Sequence, residues 1–234
     1  MQVEEAVESN ARWCDLMCGV HGSAGVFHDT AWVHPGEVPP FHSNIIMRRH
    51  DEIAAAAHIA SVRRLGPWSI KDSFGRLDLG PAGFDVLFEA NWIGARRRAC
   101  RPSGIRWTAI KSDRDLAMWE CCWASMEVHE SLHRRQFPPA LLEVRDVHFL
   151  AGWERDTIEH VAIIHRTGHV AGLSNAFSPR RSFDWSGCLD AAWRRVGDVP
   201  LVGYERGADL ERALDSGFEA LGPLCIWERR GATP

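Results

Sequence analysis

Three passages of this chain recur in the same order about 131–134 residues further on. Gly83-Phe84-Asp85-Val86-Leu87, running on to Trp92-Ile93, is answered by Gly217-Phe218-Glu219-Ala220-Leu221, running on to Ile226-Trp227-Glu228. Ser43-Asn44 followed by Arg48-Arg49 is answered by Ser174-Asn175 followed by Arg180-Arg181. Pro67, opening one short apolar run, is answered by Pro200. Solenoid repeats have periods of ~20–50 residues, so a period this long points to two like half-domains instead. A chain of 234 residues can bury the core that such an arrangement needs.

Composition removes several function classes. Hydrophobic residues make up 45% and charged residues 25%, the balance of a globular protein. There is no apolar run of ~18 residues, so no membrane span and no membrane partner are expected. The first residues, Met1-Gln2-Val3-Glu4-Glu5, lack the basic-then-apolar order of a signal peptide, which predicts a cytoplasmic location. A net charge of −4 argues against bulk nucleic-acid binding, and DNA is not an expected partner. The seven cysteines include no CxxC pair and read as small buried hydrophobes. His129 and His133 stand one helical turn apart without an HExxH frame, so no metal site is expected.

Lysine occurs only at Lys71 and Lys111, while arginines come in runs such as Arg96-Arg97-Arg98, Arg180-Arg181 and Arg194-Arg195. Codon usage in a GC-rich genome explains such runs. So does convergence on phosphates, which a planar guanidinium grips in bidentate fashion.

Periodicity predicts helices over 3–19, 51–64, 113–126, 140–146, 185–196 and 208–216. Strands are predicted over 41–47, 68–70, 84–92, 106–110, 149–152, 161–165, 170–177, 201–204 and 220–228. Thr167-Gly168-His169 marks a hairpin turn, and Arg96 to Gly104 reads as a linker. Strands mixed with helices place the chain in the α/β (α+β) class, a mixed central sheet flanked by helices.

The order of elements, and above all the helix–Gly–Phe–strand ending at Asp209 to Trp227, resembles the GNAT family of N-acetyltransferases. The resemblance covers about 106–230, with a shorter echo over about 41–94. It implies a pseudo-tandem arrangement: an abbreviated GNAT-like domain over 1–95, a linker at 96–104, and a GNAT-like domain over 105–234 that is the active half. The family's coenzyme A loop, R/Q-x-x-G-x-G/A, is degenerate here. Its place is taken by Ser178-Pro179-Arg180-Arg181-Ser182-Phe183-Asp184-Trp185-Ser186-Gly187. Arg206 and Ala213 fall where the family carries an Asn and a general-acid Tyr.

The resemblance further implies that two parallel strands, 170–177 and 201–204, splay apart and hold the acyl donor between them. Residues near their ends are the candidates. Tyr204, the only tyrosine, is a proton donor to the leaving group, Glu205 accepts a proton from the attacking amine, and Asn175 completes the catalytic set. Ser174, His165, Asp184 and Trp185 are the substrate-binding candidates. The implied reaction is amide formation on a small-molecule amine. The donor is an acyl thioester, with acyl-CoA the cofactor in question, or an aminoacyl-tRNA whose phosphates would meet Arg180, Arg181, Arg96, Arg97, Arg98 and Arg101. A GNAT-like pseudoenzyme that binds a metabolite or partner without catalysis is the alternative.

Overall fold

The fold follows from how strands of alternating character bury both faces of a mixed sheet. It was obtained as a computed structural model, which describes residues 1–62, 66–125 and 135–229. The His129–His133 pair and the Arg63-Arg64 doublet lie outside the described residues. The elements in chain order are α1 (Val3–Val20), β1 (Val26–Phe27), β2 (Ala31–Val33), β3 (Ile45–Met47), α2 (Glu52–Ser61), β4 (Trp68–Asp72), β5 (Asp85–Ala95) and β6 (Arg106–Ala109). They continue as α3 (Asp113–Ala124), β7 (Val147–Glu154), β8 (Thr157–Thr167), β9 (Val170–Phe177), α4 (Trp185–Val196), β10 (Leu201–Glu205), α5 (Gly207–Asp215) and β11 (Glu219–Arg229).

The chain forms two compact units. The first contains Met1–Ile93, Tyr204–Leu210 and the described residues from Ala220 on; the second contains Gly94–Gly203 and Glu211–Glu219. Residues 96–104 count with the second unit, and the last strand counts with the first.

In the first unit the strand order is β1-β2-β3-β4-β11-β5. Strands β3 and β4 are parallel, while β1–β2, β2–β3 and β4–β11 are antiparallel. Successive side chains on a strand point to opposite faces. Accordingly Ala31, Val33, Ile45, Met47, Trp68 and Ile70 enter one buried cluster with Ala55 of α2 and with Phe84. Trp32 and Ile46 enter another with Ala11, Cys14 and Cys18, which recur at helical spacing on α1. Helix α2 starts at Asp51, whose carboxylate accepts the Ala54 N–H at 2.8 Å.

The second unit carries the order β10-β9-β8-β7-β6, with β9 and β10 parallel and the remainder antiparallel. Helix α3 closes one face: Trp119 is fully buried, meets Phe137 and Phe149 edge-on, and donates its indole N–H to the Leu150 carbonyl at 2.8 Å.

Several sequence expectations change. The strand predicted over 41–47 shrinks to β3, because Phe41 takes φ 67° and Asn44 turns its amide to the carbonyls of His34 and Gly36. The apolar triplet Ala31–Val33, inside a stretch rich in turn residues, forms β2. The helix expected over 140–146 is a five-residue 3-10 turn, Pro139–Glu143, after which Val144 is extended. The repeated Gly-Phe pairs share a geometry: Gly83 and Gly217 have φ 82° and 97°, and the phenylalanine after each is 3% exposed. A left-handed residue before a buried ring favours glycine at both places.

Lys71 is a buried cation that the β alternation turns toward α1. It is 4% exposed, donates to Asn10 Oδ1 at 2.7 Å, and has no carboxylate ion-pair partner among the described residues. Its ammonium lies 4.3 Å from the Tyr204 ring centroid and 5.7 Å from that of Trp92. Burying a lone charge is costly, whereas the stem fills space. Lys71→Met is therefore expected to leave stability within about 1 kcal/mol, and Lys71→Ala to cost about 2–3 kcal/mol more, in urea denaturation. Equal losses in the two variants would show that the ammonium contacts dominate.

Candidate functional site

In the second unit the ladder between the two parallel strands is short. Parallel strands β9 and β10 pair only at Ala171–Leu201 and Gly172–Val202. Beyond that point, a Cβ on Gly203 would stand 2.7 Å from the Leu173 carbonyl oxygen, so this close approach requires glycine. On its other side β9 meets β8 with a register shift, Val161 opposing Phe177 and Ile163 opposing Ser174. The extra residue is absorbed around Asn175, which has φ 52°. A bulge bends its strand and re-aims side chains, a device common beside active sites. Residues 174–177 are left half-buried, beyond the end of the β9–β10 ladder.

The bulge is pinned from within. Asn175 Oδ1 accepts the Trp123 indole N–H at 2.9 Å, and its amide donates to Ser174 Oγ at 3.2 Å. Both polar residues of β9 are thus tied to neighbours, as Ser43 is to Ser69 and Asn44 to its turn in the first unit. His165 lies on β8 opposite Gly172, with Nδ1 3.3 Å from Thr167 Oγ1.

The loop after β9 is where a GNAT fold would seat the pyrophosphate of acyl-CoA, on backbone N–H groups at the start of the next helix. Here that place is filled by protein. The Asp184 carboxylate accepts the Gly187 N–H at 3.1 Å, the Trp107 indole N–H at 2.8 Å and the Ser103 hydroxyl at 2.5 Å. The N–H of Trp185 goes to the Phe183 carbonyl and that of Cys188 to Asp184. A carboxylate that caps the helix and takes the Gly187 N–H puts negative charge where a pyrophosphate would sit, so these residues do not fit coenzyme A at α4. Trp185 is packed inside, its ring edge-on to Phe183 and Phe218.

Tyr204 and Glu205 continue β10 but belong to the first unit. Tyr204 is half-buried; its ring supports the Lys71 ammonium and meets Trp92 at 84°, and its hydroxyl makes no hydrogen bond among the described residues. Burial, reinforced by the charge of Asp209 and opposed by that of Arg206, pushes the Glu205 carboxyl up to about 8. Such a group titrates near working pH, the requirement for proton transfer. Lys71 is the neighbour that no motif marks; its rarity in an arginine-rich chain is the signal the sequence carries.

The arginine candidates divide. Arg180 pairs with Glu159 at 2.8 Å and Arg181 with Glu154 at 2.6 Å, both guanidiniums remaining largely exposed. Arg97 pairs with Asp198, and Arg98 donates to the Ser216 carbonyl at 2.6 Å. Arg96 is exposed, and Arg101 lines a cleft beside α4.

With this geometry in view, the likeness to known proteins is one of fold. No protein-family model matches the chain, and no curated protein does. Among solved structures it is similar to a GCN5-related N-acetyltransferase from Kribbella flavida, at 13% identity and TM-score 0.65, covering 97% of this chain and 96% of that one. It is also similar to a protein from Novosphingobium aromaticivorans assigned to the GNAT acetyltransferases (15%, TM-score 0.60, 97% and 99% covered). A conserved Staphylococcus epidermidis protein of unknown function matches at 9% identity and TM-score 0.62, over 90% and 95%. The chain has the GNAT fold across its length. No described helix is long and apolar enough to cross a membrane.

Asp184→Ala should cost about 2–4 kcal/mol, the sum of a lost helix cap and two orphaned donors, read by chemical denaturation. A loss under about 0.5 kcal/mol, the range of ordinary surface substitutions, would show that this carboxylate does not organise the loop.

Proposed function

We propose that the protein transfers an acyl group to the amine of a small molecule, forming an amide, and that the donor is an aminoacyl-tRNA. The observation that carries the transfer is the short β9–β10 ladder with the bulge at Asn175, set in a GNAT fold. Backbone N–H groups of a strand that has lost its neighbour can face a carbonyl oxygen as it gains charge. Support for the donor comes from the Asp184 cap, which leaves no phosphate cradle at α4. An RNA ester brings its phosphates to guanidiniums instead, for which Arg96, Arg97, Arg98, Arg180 and Arg181 are the candidates. Exposed ion pairs such as Arg180–Glu159 are weak, so a phosphate can compete for the guanidinium.

In this reading the amine nitrogen attacks the ester carbonyl, a C–N bond forms, and the bond to the ribose oxygen breaks. Glu205, as carboxylate, takes the proton that the amine sheds; Tyr204 supplies one to the departing ribose oxygen. Asn175 and Asp184 act by position: one holds the bulge, the other shapes the loop. Ser174 and His165 are left as contacts for the acyl or amine portion.

Because the Glu205 carboxyl is held up to about 8, its base form appears only as pH rises through that value. Transfer measured with charged tRNA and candidate amines should therefore climb with pH to a plateau above about 8, and Glu205→Gln should flatten the profile and lower the plateau 100-fold or more. The same shift has a stability sign. The folded pKa exceeds the ordinary value of about 4.3, so a contribution present at low pH is lost as pH rises toward 8, and Glu205→Gln should abolish that loss. Absence of transfer from any charged tRNA, with turnover of acyl thioesters, would overturn the donor. Absence of both, with a tight ligand retained, would leave the non-catalytic reading, which the internally satisfied Asn175 and Asp184 favour.

A further inference from the structure

The second unit holds a cleft of about 780 Å3 between edge strand β6 with its preceding segment and one face of α4. No residue of β9 or β10 lines it, so it is separate from the short ladder described above. Three guanidiniums border it, Arg101 from the segment and Arg194 and Arg195 from α4, while Arg106 alternates with Trp107 along β6 and turns to the other face. The only carboxylate in the lining is Asp190, which pairs with Arg194 at 2.5 Å. Arg106 lies 5.1 Å from the Trp153 ring centroid. Arg101 and Arg195 are exposed and have no carboxylate partner among the described residues.

Between these charges the wall is apolar. Ile105, Ala109, Leu150 and Ala191 contribute to it, together with the half-buried Trp107. Trp107 cannot swing freely, because Asp184 holds its indole N–H and its ring packs edge-on against Phe183. A fixed aromatic wall beside unpaired guanidiniums answers a ligand with an apolar or ring-like body and an anionic head. The volume lies within the ~300–1,000 Å3 typical of small-molecule sites. Three guanidiniums against one carboxylate exceed what a single carboxylate ligand needs, and planar N–H forks match phosphate oxygens.

We propose that this cleft binds a phosphorylated ligand of nucleotide size, its phosphates on Arg101 and Arg195 and its ring beside Trp107. The site does not depend on acyl transfer and would stand if the protein proved non-catalytic.

The test is calorimetric titration of the full chain with ADP, adenosine and a short single-stranded RNA at physiological salt. Wild-type protein should bind ADP saturably below about 1 mM, and adenosine at least tenfold more weakly. R101Q/R195Q should weaken ADP binding at least tenfold with an unchanged melting temperature, since neither side chain has an ion pair to lose. Asp190→Asn, which removes the lone carboxylate and frees Arg194, should tighten it about two- to threefold. Arg12→Gln, a change on α1 in the first unit, should leave ADP binding as it is. Equal binding of ADP and adenosine, unchanged ADP affinity in R101Q/R195Q, no saturable ADP binding, or binding of the RNA alone would each overturn the proposal.

Discussion

The Asp184 carboxylate is the interaction on which the second unit's functional geometry depends. Its three hydrogen bonds tie the segment before β6 through Ser103, the edge strand through Trp107, and the first turn of α4 through Gly187. It thereby settles where α4 begins and how Trp107 lies. The same bonds place negative charge on the helix end that a GNAT fold otherwise offers to phosphates, where an anion is stabilised by N–H groups and the helix dipole. One residue thus organises the loop and charges the helix end.

The two units share a local device. Each contains two parallel strands joined through a helix and paired at only two positions: Ile45–Ile70 and Ile46–Lys71 in one, Ala171–Leu201 and Gly172–Val202 in the other. Each helix starts with an aspartate cap, Asp51 or Asp184. Each ends the following passage on a left-handed glycine before a buried phenylalanine. They differ in what surrounds the strands. In the first unit Asn44 and Ser43 are consumed by a turn and by Ser69, and the strand face carries the buried Lys71. In the second a bulge opens the strand at Asn175.

The fold was largely legible because its signals are local and physical. Helix α4 is bounded by Asp184 and Gly197, β9 by the Gly168 turn, and β11 by the Gly217-Phe218 entry, each marked by residue types whose backbone preferences leave few alternatives. What escaped was set by partners distant in sequence. Ala31–Val33 is too short to announce a strand, and becomes one because Ile45–Met47 lies beside it. In the site, the sequence exposed the loss of the glycine loop and the singular Tyr204. It could not show that Asn175 is held by Trp123 or Asp184 by Trp107, contacts that span 52 and 77 residues. Nor could it show which arginines stand in ion pairs and which face open space. Arg194-Arg195 read as one more doublet, yet one member pairs with Asp190 while the other borders the cleft without a carboxylate.

At the start of α4 the Asp184 carboxylate stands where a GNAT fold would receive the pyrophosphate of coenzyme A. Calorimetric titration of acetyl-CoA into the intact protein, alongside Asp184→Asn, tests this placement most directly. The wild type should give no saturable heat, and the protein with the carboxylate neutralised at most weak binding. Micromolar binding to the wild type that is lost on substitution in the 178–187 loop would contradict it.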